Sequence, residues 1–209
     1  MVKIVPAILT YDQKSFAESI KKIKGNFNEI QIDICTSDFV GINTLSVSEI
    51  EIPKNIEVGW HLMSDSFDEF DQLKKFNTVN IIVHFESLLR KKNLEDKVAK
   101  EVKWGLAVNP ETDVSQIREL LNQYDFVQLM GVTPGAQGQE FHPAITAKII
   151  LLKNRGIAKP IWIDGGINPQ SVKYLRNLDI DTLVVGSYLL ESSNILGKKE
   201  EIEKSFYQV

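Results

Sequence analysis

Cysteine is almost missing from this chain. Cys35 stands alone, so no intrachain disulfide can form, and a reducing compartment is expected. Long apolar runs are missing too. No stretch approaches the roughly 18 residues that a membrane span needs. The opening "MVKIVPAILTYDQKSF" turns polar from Thr10, too early for a signal peptide. A soluble, cytoplasmic protein with no membrane partner is expected. An excess of positive charge is also lacking: 24 basic residues face 28 acidic ones, for a net charge of −4. That balance gives no reason to expect a nucleic-acid partner. The one basic cluster, "RKK" at 90–92, sits beside "NLEDK" and reads as a solvated loop or helix start.

What is present is alternation. Short apolar runs recur at 3–9, 29–34, 56–63, 78–85, 104–109, 126–132, 160–166 and 181–190. Amphipathic or helix-sized segments follow them, at 11–25, 66–76, near 93–102, and at 113–124, 143–155, 169–178 and 194–207. The second unit, "CTSDFVGINTLSVSEIEIPKN", carries no convincing long helix, so its helix is short or absent. Strict alternation implies parallel strands with right-handed crossovers. By length and its 43% hydrophobic content the chain could form one large domain or two small ones. No linker or low-complexity run divides it. Eight units in 209 residues fit a compact (β/α)8 TIM barrel as one domain over 1–209 better than an open sheet.

In such a barrel the active site lies at the C-terminal ends of the strands. Polar groups late in strands and facing inward are therefore the candidates. Gln31, Asp33 and Cys35 share one face of the second strand; Gly59, His61 and Met63 share one face of the third. Trp162 and Asp164 share a face of the seventh, and Met130 ends the sixth. A lone late-strand Asp often caps a helix, a lone strand His is usually a satisfied core residue, and Met63 or Met130 alone reads as core. Two carboxylates and an imidazole converging on one mouth can hold a divalent metal, or exchange protons with a substrate. The glycines of "DGG" (164–166) and "VGS" (185–187) follow strands seven and eight, where barrels often bind phosphate. "TPGAQGQ" (133–139) is a glycine-rich segment of lid size.

With these motifs in order, the chain resembles the ribulose-phosphate 3-epimerase family almost end to end. "PAIL" (6–9) is similar to the family's "PSIL", and "QIDICTSDFVGIN" (31–43) to a much altered "HxDxMDGxFVPN". "HLM" (61–63) and "VNPET" (108–112) are present. "LMGVTPGAQGQEF" (129–141) resembles "LMSVNPGFGGQxF", "IDGGINP" (163–169) resembles "VDGGVNP", and "VVGSYLL" (184–190) resembles "VAGSAIF". The resemblance implies a barrel of the ribulose-phosphate-binding type. It implies that Asp33 and Asp164 are the acid/base carboxylates, and that Asp33, His61 and Asp164 are three of four metal ligands. Gly165, Gly166, Gly186 and Ser187 would cradle phosphate. Gly135, Ala136, Gln137 and Gly138 would form the closing loop, and Ala7, Met63 and Met130 would line the substrate. The implied reaction epimerises C3 of a ketose phosphate through an enediolate stabilised by the metal. One carboxylate takes the C3 proton and the other returns one to the opposite face, with strands two and seven expected on opposite sides of the ring. A homo-oligomer and a small phosphorylated sugar substrate of the pentose phosphate pathway are implied as well.

The differences cluster at strand two. Gln31 stands where the family has its first metal-binding His, Ala7 replaces the Ser of "PSIL", and Ala136-Gln137 replaces a Phe-Gly pair. An amide oxygen is a weaker donor than imidazole toward Zn²⁺ or Fe²⁺, so this oxygen-rich set should lean to Mg²⁺ or Mn²⁺. D-ribulose 5-phosphate is the leading substrate. A ketohexose 6-phosphate, or a barrel that binds phosphate esters without catalysis, stays open. A lyase of the hexulose-phosphate synthase or decarboxylase type would need a "DxK" lysine, and Asp33-Ile34-Cys35 supplies none.

Overall fold

A computed structural model describes residues 1–66, 70–90, 102–136 and 138–208. Eight parallel strands close into a barrel in sequence order. They are β1 (Lys3–Ile8), β2 (Glu29–Cys35), β3 (Glu57–Met63), β4 (Thr78–His84), β5 (Lys103–Val108), β6 (Phe126–Met130), β7 (Ile161–Asp164) and β8 (Thr182–Val185). The β1–β8 pairing, Lys3 opposite Thr182 through Pro6 opposite Val185, closes the ring and removes both edges.

Period-2 alternation sorts side chains to two cores. Ile30, Ile32 and Ile34 of β2 face outward, into the shared core beneath the helices with Val58, Ile81, Val83 and Leu106. A smaller core fills the barrel: Ala7, Ile82, Ala107, Phe126, Met130, Trp162 and Val184. Phe126 and Trp162 stack there with ring centroids 4.1 Å apart. This plug forms the floor below the site.

The helical layer is lighter than the sequence suggests. The helices are α1 (Gln13–Ile23), α2 (Ser37–Val40), α3 (Phe70–Leu73), α4 (Phe85–Leu88), α5 (Ile145–Asn154), α6 (Ser187–Leu190) and α7 (Ile195–Tyr207). Asp12 caps α1 by accepting from the Ser15 N–H at 2.9 Å, and Phe16, Ile20 and Ile23 bury its inner face. As expected, the second unit has no long helix, only α2 and a 3-10 turn at Val47–Glu49. The helices expected over 113–124 and 169–178 are 3-10 turns instead, at Val114–Ile117, Leu120–Gln123 and Ser171–Leu175. Of the helix expected over 66–76, α3 is the described part; that near 93–102 lies almost entirely outside the described residues. Among the described residues no helix is long and apolar enough to cross a membrane.

Candidate active site

The strand register builds the site. Asp33 lies opposite His61 and Cys35 opposite Met63 across β2–β3; Met130 lies opposite Asp164 across β6–β7. All lie within the last three residues of their strands, at one mouth. His61 Nδ1 lies 3.1 Å from Asp33 Oδ1 and 3.3 Å from Asp164 Oδ2. Ligand atoms of these three buried residues lie within 4.8 Å of one another, close enough to hold one metal ion. β2 and β7 are not diametrically opposed, because β8 and β1 alone separate them on the short side of the ring. The carboxylates therefore converge on one part of the mouth instead of facing across it.

Gln31 sits beneath this group, 1% exposed. Its Nε2 donates to Asp33 Oδ1 at 2.9 Å and to Asp164 Oδ2 at 2.7 Å, and lies 3.3 Å from His61 Nδ1. Gln128, from β6, donates to the same Asp164 Oδ2 at 2.8 Å. Both amide oxygens, Gln31 Oε1 and Gln128 Oε1, are buried without a hydrogen-bond partner. This is an expensive arrangement for an amide. Two N–H donors on one oxygen suit a carboxylate, which can only accept.

Burial raises the Asp33 carboxyl above its ordinary value; the His61 hydrogen bond opposes this and the Asp164 charge adds to it. For His61, burial alone would lower the pKa from 6.5, but hydrogen bonds and charge from Asp164 and Asp33 outweigh it and raise it to about 9. Burial, with the Asp33 charge, also pushes the Cys35 thiol up, so it is no nucleophile here.

Above the carboxylates opens a cavity of about 320 Å³, the size of a small-molecule site. Asp33, His61, Asp164, Ala7, Met63 and Met130 line its deep end. Gly165, Gly166, Gly186 and Ser187 line a side wall, with Gly135, Ala136 and Gly138 of the 133–139 loop. Of the residues that the family resemblance implicates, all but Gln31 and Gln137 line this cavity; Cys35, Gly59 and Trp162, which share faces with them, do not. Gln31 lies below the cavity, and Gln137 falls outside the described residues. Among the described lining residues there is no Lys or Arg, which leaves backbone N–H groups to meet an anion.

Glycine is required in that wall. Gly166 has φ +67, and a Cβ there would lie 2.8 Å from the Phe141 backbone. Gly166→Ala should cost at least about 1–2 kcal/mol from the left-handed backbone alone. A lowered urea midpoint would register it.

Three polar residues of the buried network beneath the cavity escape the sequence reading. Gln128 is one; His84 and Glu86, at and just after the end of β4, are the others. The signal for His84 and Gln128 existed. Asn80, Ile82 and His84 share the inward face of β4, as Phe126, Gln128 and Met130 share that of β6.

Comparison with known proteins points to one sequence family. The sequence profile of the Ribulose-phosphate 3 epimerase family matches residues 3–190. The chain is 29% identical over 211 residues to a ribulose-phosphate 3-epimerase of Chlamydia muridarum, covering 95% of this chain and 92% of that protein. It is 31% identical to that of Chlamydia pneumoniae, covering 93% and 90%. Among solved structures, 3-hexulose-6-phosphate synthase from Salmonella typhimurium superposes with a TM-score of 0.65 over 98% of both chains; at 19% identity it shares the fold.

Proposed function

The chain belongs to the ribulose-phosphate 3-epimerase family, and from that premise we propose that it interconverts D-ribulose 5-phosphate and D-xylulose 5-phosphate. One observation carries the reading. Two buried carboxylates, Asp33 and Asp164, meet an imidazole at the deep end of a cavity whose wall is a run of glycines.

The residues fit a divalent cation. Asp33, His61 and Asp164 offer two carboxylate oxygens and one imidazole nitrogen at mutual distances that one ion can span. The unpartnered Gln31 Oε1 would supply a fourth donor if the amide turned over. When bound, an ion in this oxygen-rich set, Mn²⁺ or Mg²⁺ by preference, would polarise the ketone beside C3.

The protein's own groups do the rest. Asp164, held by two amide N–H donors, is the carboxylate suited to take the C3 proton from one epimer. Asp33, whose carboxyl is raised, is suited to carry a proton and deliver it to the other face. For the reverse epimer the roles exchange. Backbone N–H groups of Gly165, Gly166, Gly186 and Ser187 would hold the phosphate and fix C3 over the carboxylates. The 133–139 loop would exclude water. Turnover in a coupled assay with Mn²⁺, Mg²⁺, Zn²⁺ and Fe²⁺, against a panel of ketopentose and ketohexose phosphates, tests this. Folded protein that neither turns over nor exchanges deuterium at C3 with any ion would defeat it.

His61 gives the proposal a pH signature. With its pKa raised from 6.5 to about 9, the metal-free site holds an imidazolium at neutral pH. An ion on Nδ1 must displace that proton. Affinity for Mn²⁺ should therefore rise about tenfold per pH unit up to about pH 9 and level off above it. Chelator competition reads this directly. The same proton stabilises the metal-free fold fully below pH 6.5, and that contribution fades as pH rises through about 9.

A further inference from the structure

A chain of buried hydrogen bonds leaves the site through β4. His61 turns Nδ1 to the carboxylates, and its Nε2 lies 2.8 Å from His84 Nε2. The rings meet edge to edge, with centroids 5.0 Å apart and planes 20° from parallel, and both are 0% exposed. Phe39 packs on His84 with ring centroids 4.9 Å apart. His84 Nδ1 lies 3.3 Å from Glu86 Oε2. Glu86 Oε1 accepts from the Asn109 backbone N–H at 3.0 Å and from the Thr112 hydroxyl.

Two nitrogens at that distance share one hydrogen, so one ring donates and the other accepts. Glu86 decides the direction. A carboxylate only accepts, so His84 donates from Nδ1 and keeps a lone pair on Nε2. His61 must then donate from Nε2. Its other nitrogen, aimed at Asp33 and Asp164, is then the one that gives up its proton to an arriving cation and presents the lone pair.

We propose that His84 and Glu86 are positioning residues that fix the proton of His61 on Nε2, so that Nδ1 presents a ligand lone pair to a divalent ion held with Asp33 and Asp164. The inference rests on the metal-dependent reading above. Burial alone would raise the Glu86 carboxyl, but hydrogen bonds from His84, Thr112 and Asn109 leave it below its ordinary value, in the charged form this chain needs.

Glu86→Gln tests it, because the Asn109 N–H can only donate. The new amide must offer it oxygen and turn its NH₂ toward His84. His84 Nδ1 then accepts, His84 Nε2 donates, and His61 Nε2 accepts. His84 reverses its tautomer, and the proton that His61 keeps lies on Nδ1, the nitrogen that faces the carboxylates. With only three histidines in the chain, ¹⁵N–¹H spectra of labelled, metal-free protein can follow each ring nitrogen. The wild type should show a hydrogen on His61 Nε2 and on His84 Nδ1; Glu86→Gln should lose both. Its Zn²⁺ affinity by chelator competition should fall at least about tenfold. Unchanged ring hydrogens, or an affinity within twofold of wild type, would overturn the proposal.

If Glu86→Gln does not fold, His84→Gln decides. Its amide can accept from His61 and donate to Glu86, so Zn²⁺ affinity should stay within about threefold, while His84→Leu loses about tenfold or more. A tenfold loss in His84→Gln would sink the relay. A wild type that takes up none of the four ions defeats the metal reading itself, and the ring hydrogens of the metal-free protein then still decide the direction of the chain.

Discussion

Asp164→Asn is expected to lower kcat/KM by roughly 10³–10⁴-fold while leaving the fold intact. The substitution keeps the shape of the side chain. Its amide oxygen can still accept from Gln31 and Gln128, the two donors now on Oδ2. The NH₂ then faces the cavity in place of a proton acceptor. What is lost is the ability to take or return the C3 proton, together with one negative charge on the cation side. Stability should change little, because the Asp164 charge that pushes the Asp33 carboxyl up also holds the His61 imidazolium. Removing it relieves one repulsion and gives up one attraction.

The same substitution separates a two-carboxylate mechanism from any single-base route. With Asp33 intact, the epimer whose C3 proton faces Asp33 should still exchange that proton with deuterium, while the opposite epimer should not. Asp33→Asn should show the reverse. NMR of each epimer in D₂O reads both. If either variant exchanges both epimers, or keeps more than about a tenth of wild-type turnover, the assignment of these carboxylates fails.

The barrel was legible because period-2 runs and the gaps between them survive tertiary packing. What failed was the kind of helix. Val114, Ile117 and Leu121 are all buried, at spacings of three and four. Those spacings suit an α-helix, but short 3-10 turns bury the same three side chains. The end of β8 failed for a related reason. "LVVGSYLL" is apolar on both sides of Gly186-Ser187, and its pattern does not reveal that the chain leaves the strand at Gly186, φ −90 and ψ −105, to begin α6. Period carries little signal where apolar residues flank so short a break.

At the site, the late-strand rule singled out Asp33, His61 and Asp164 because three such groups converge on one mouth. His84 obeys the same rule on β4, yet it stands as the single polar group at the end of an apolar run. Its meaning comes from contact with His61 on the neighbouring strand and with Glu86. Gln128 and Gln31 are 97 positions apart, and only ring closure brings both amides to one oxygen of Asp164. Which end of the Gln31 amide faces the carboxylates is fixed by partners on three strands, and no local pattern encodes it.

That orientation sets the second large effect. Gln31→His is expected to tighten binding of Mn²⁺ and Zn²⁺ by about 100-fold, with Zn²⁺ gaining more than Mg²⁺. At present the Gln31 NH₂ lies between the two carboxylates, in the space a cation needs. To ligate, the amide must turn. Turning gives up two hydrogen bonds to carboxylates, each worth about 1.5–3 kcal/mol, and leaves the NH₂ where Oε1 now has no partner. An imidazole escapes that cost by binding through nitrogen with no donor to remove. The ring would take the volume of the Gln31 amide, between the small strand neighbours Ala7 and Gly59. Chelator competition and elemental analysis of purified wild type and variant measure the difference. Equal affinities would mean that the amide already turns at no cost and serves as a ligand in its own right. A variant that gains both metal and rate would mean that Gln31 acts as a resident donor, competing with the ion for the same two carboxylates.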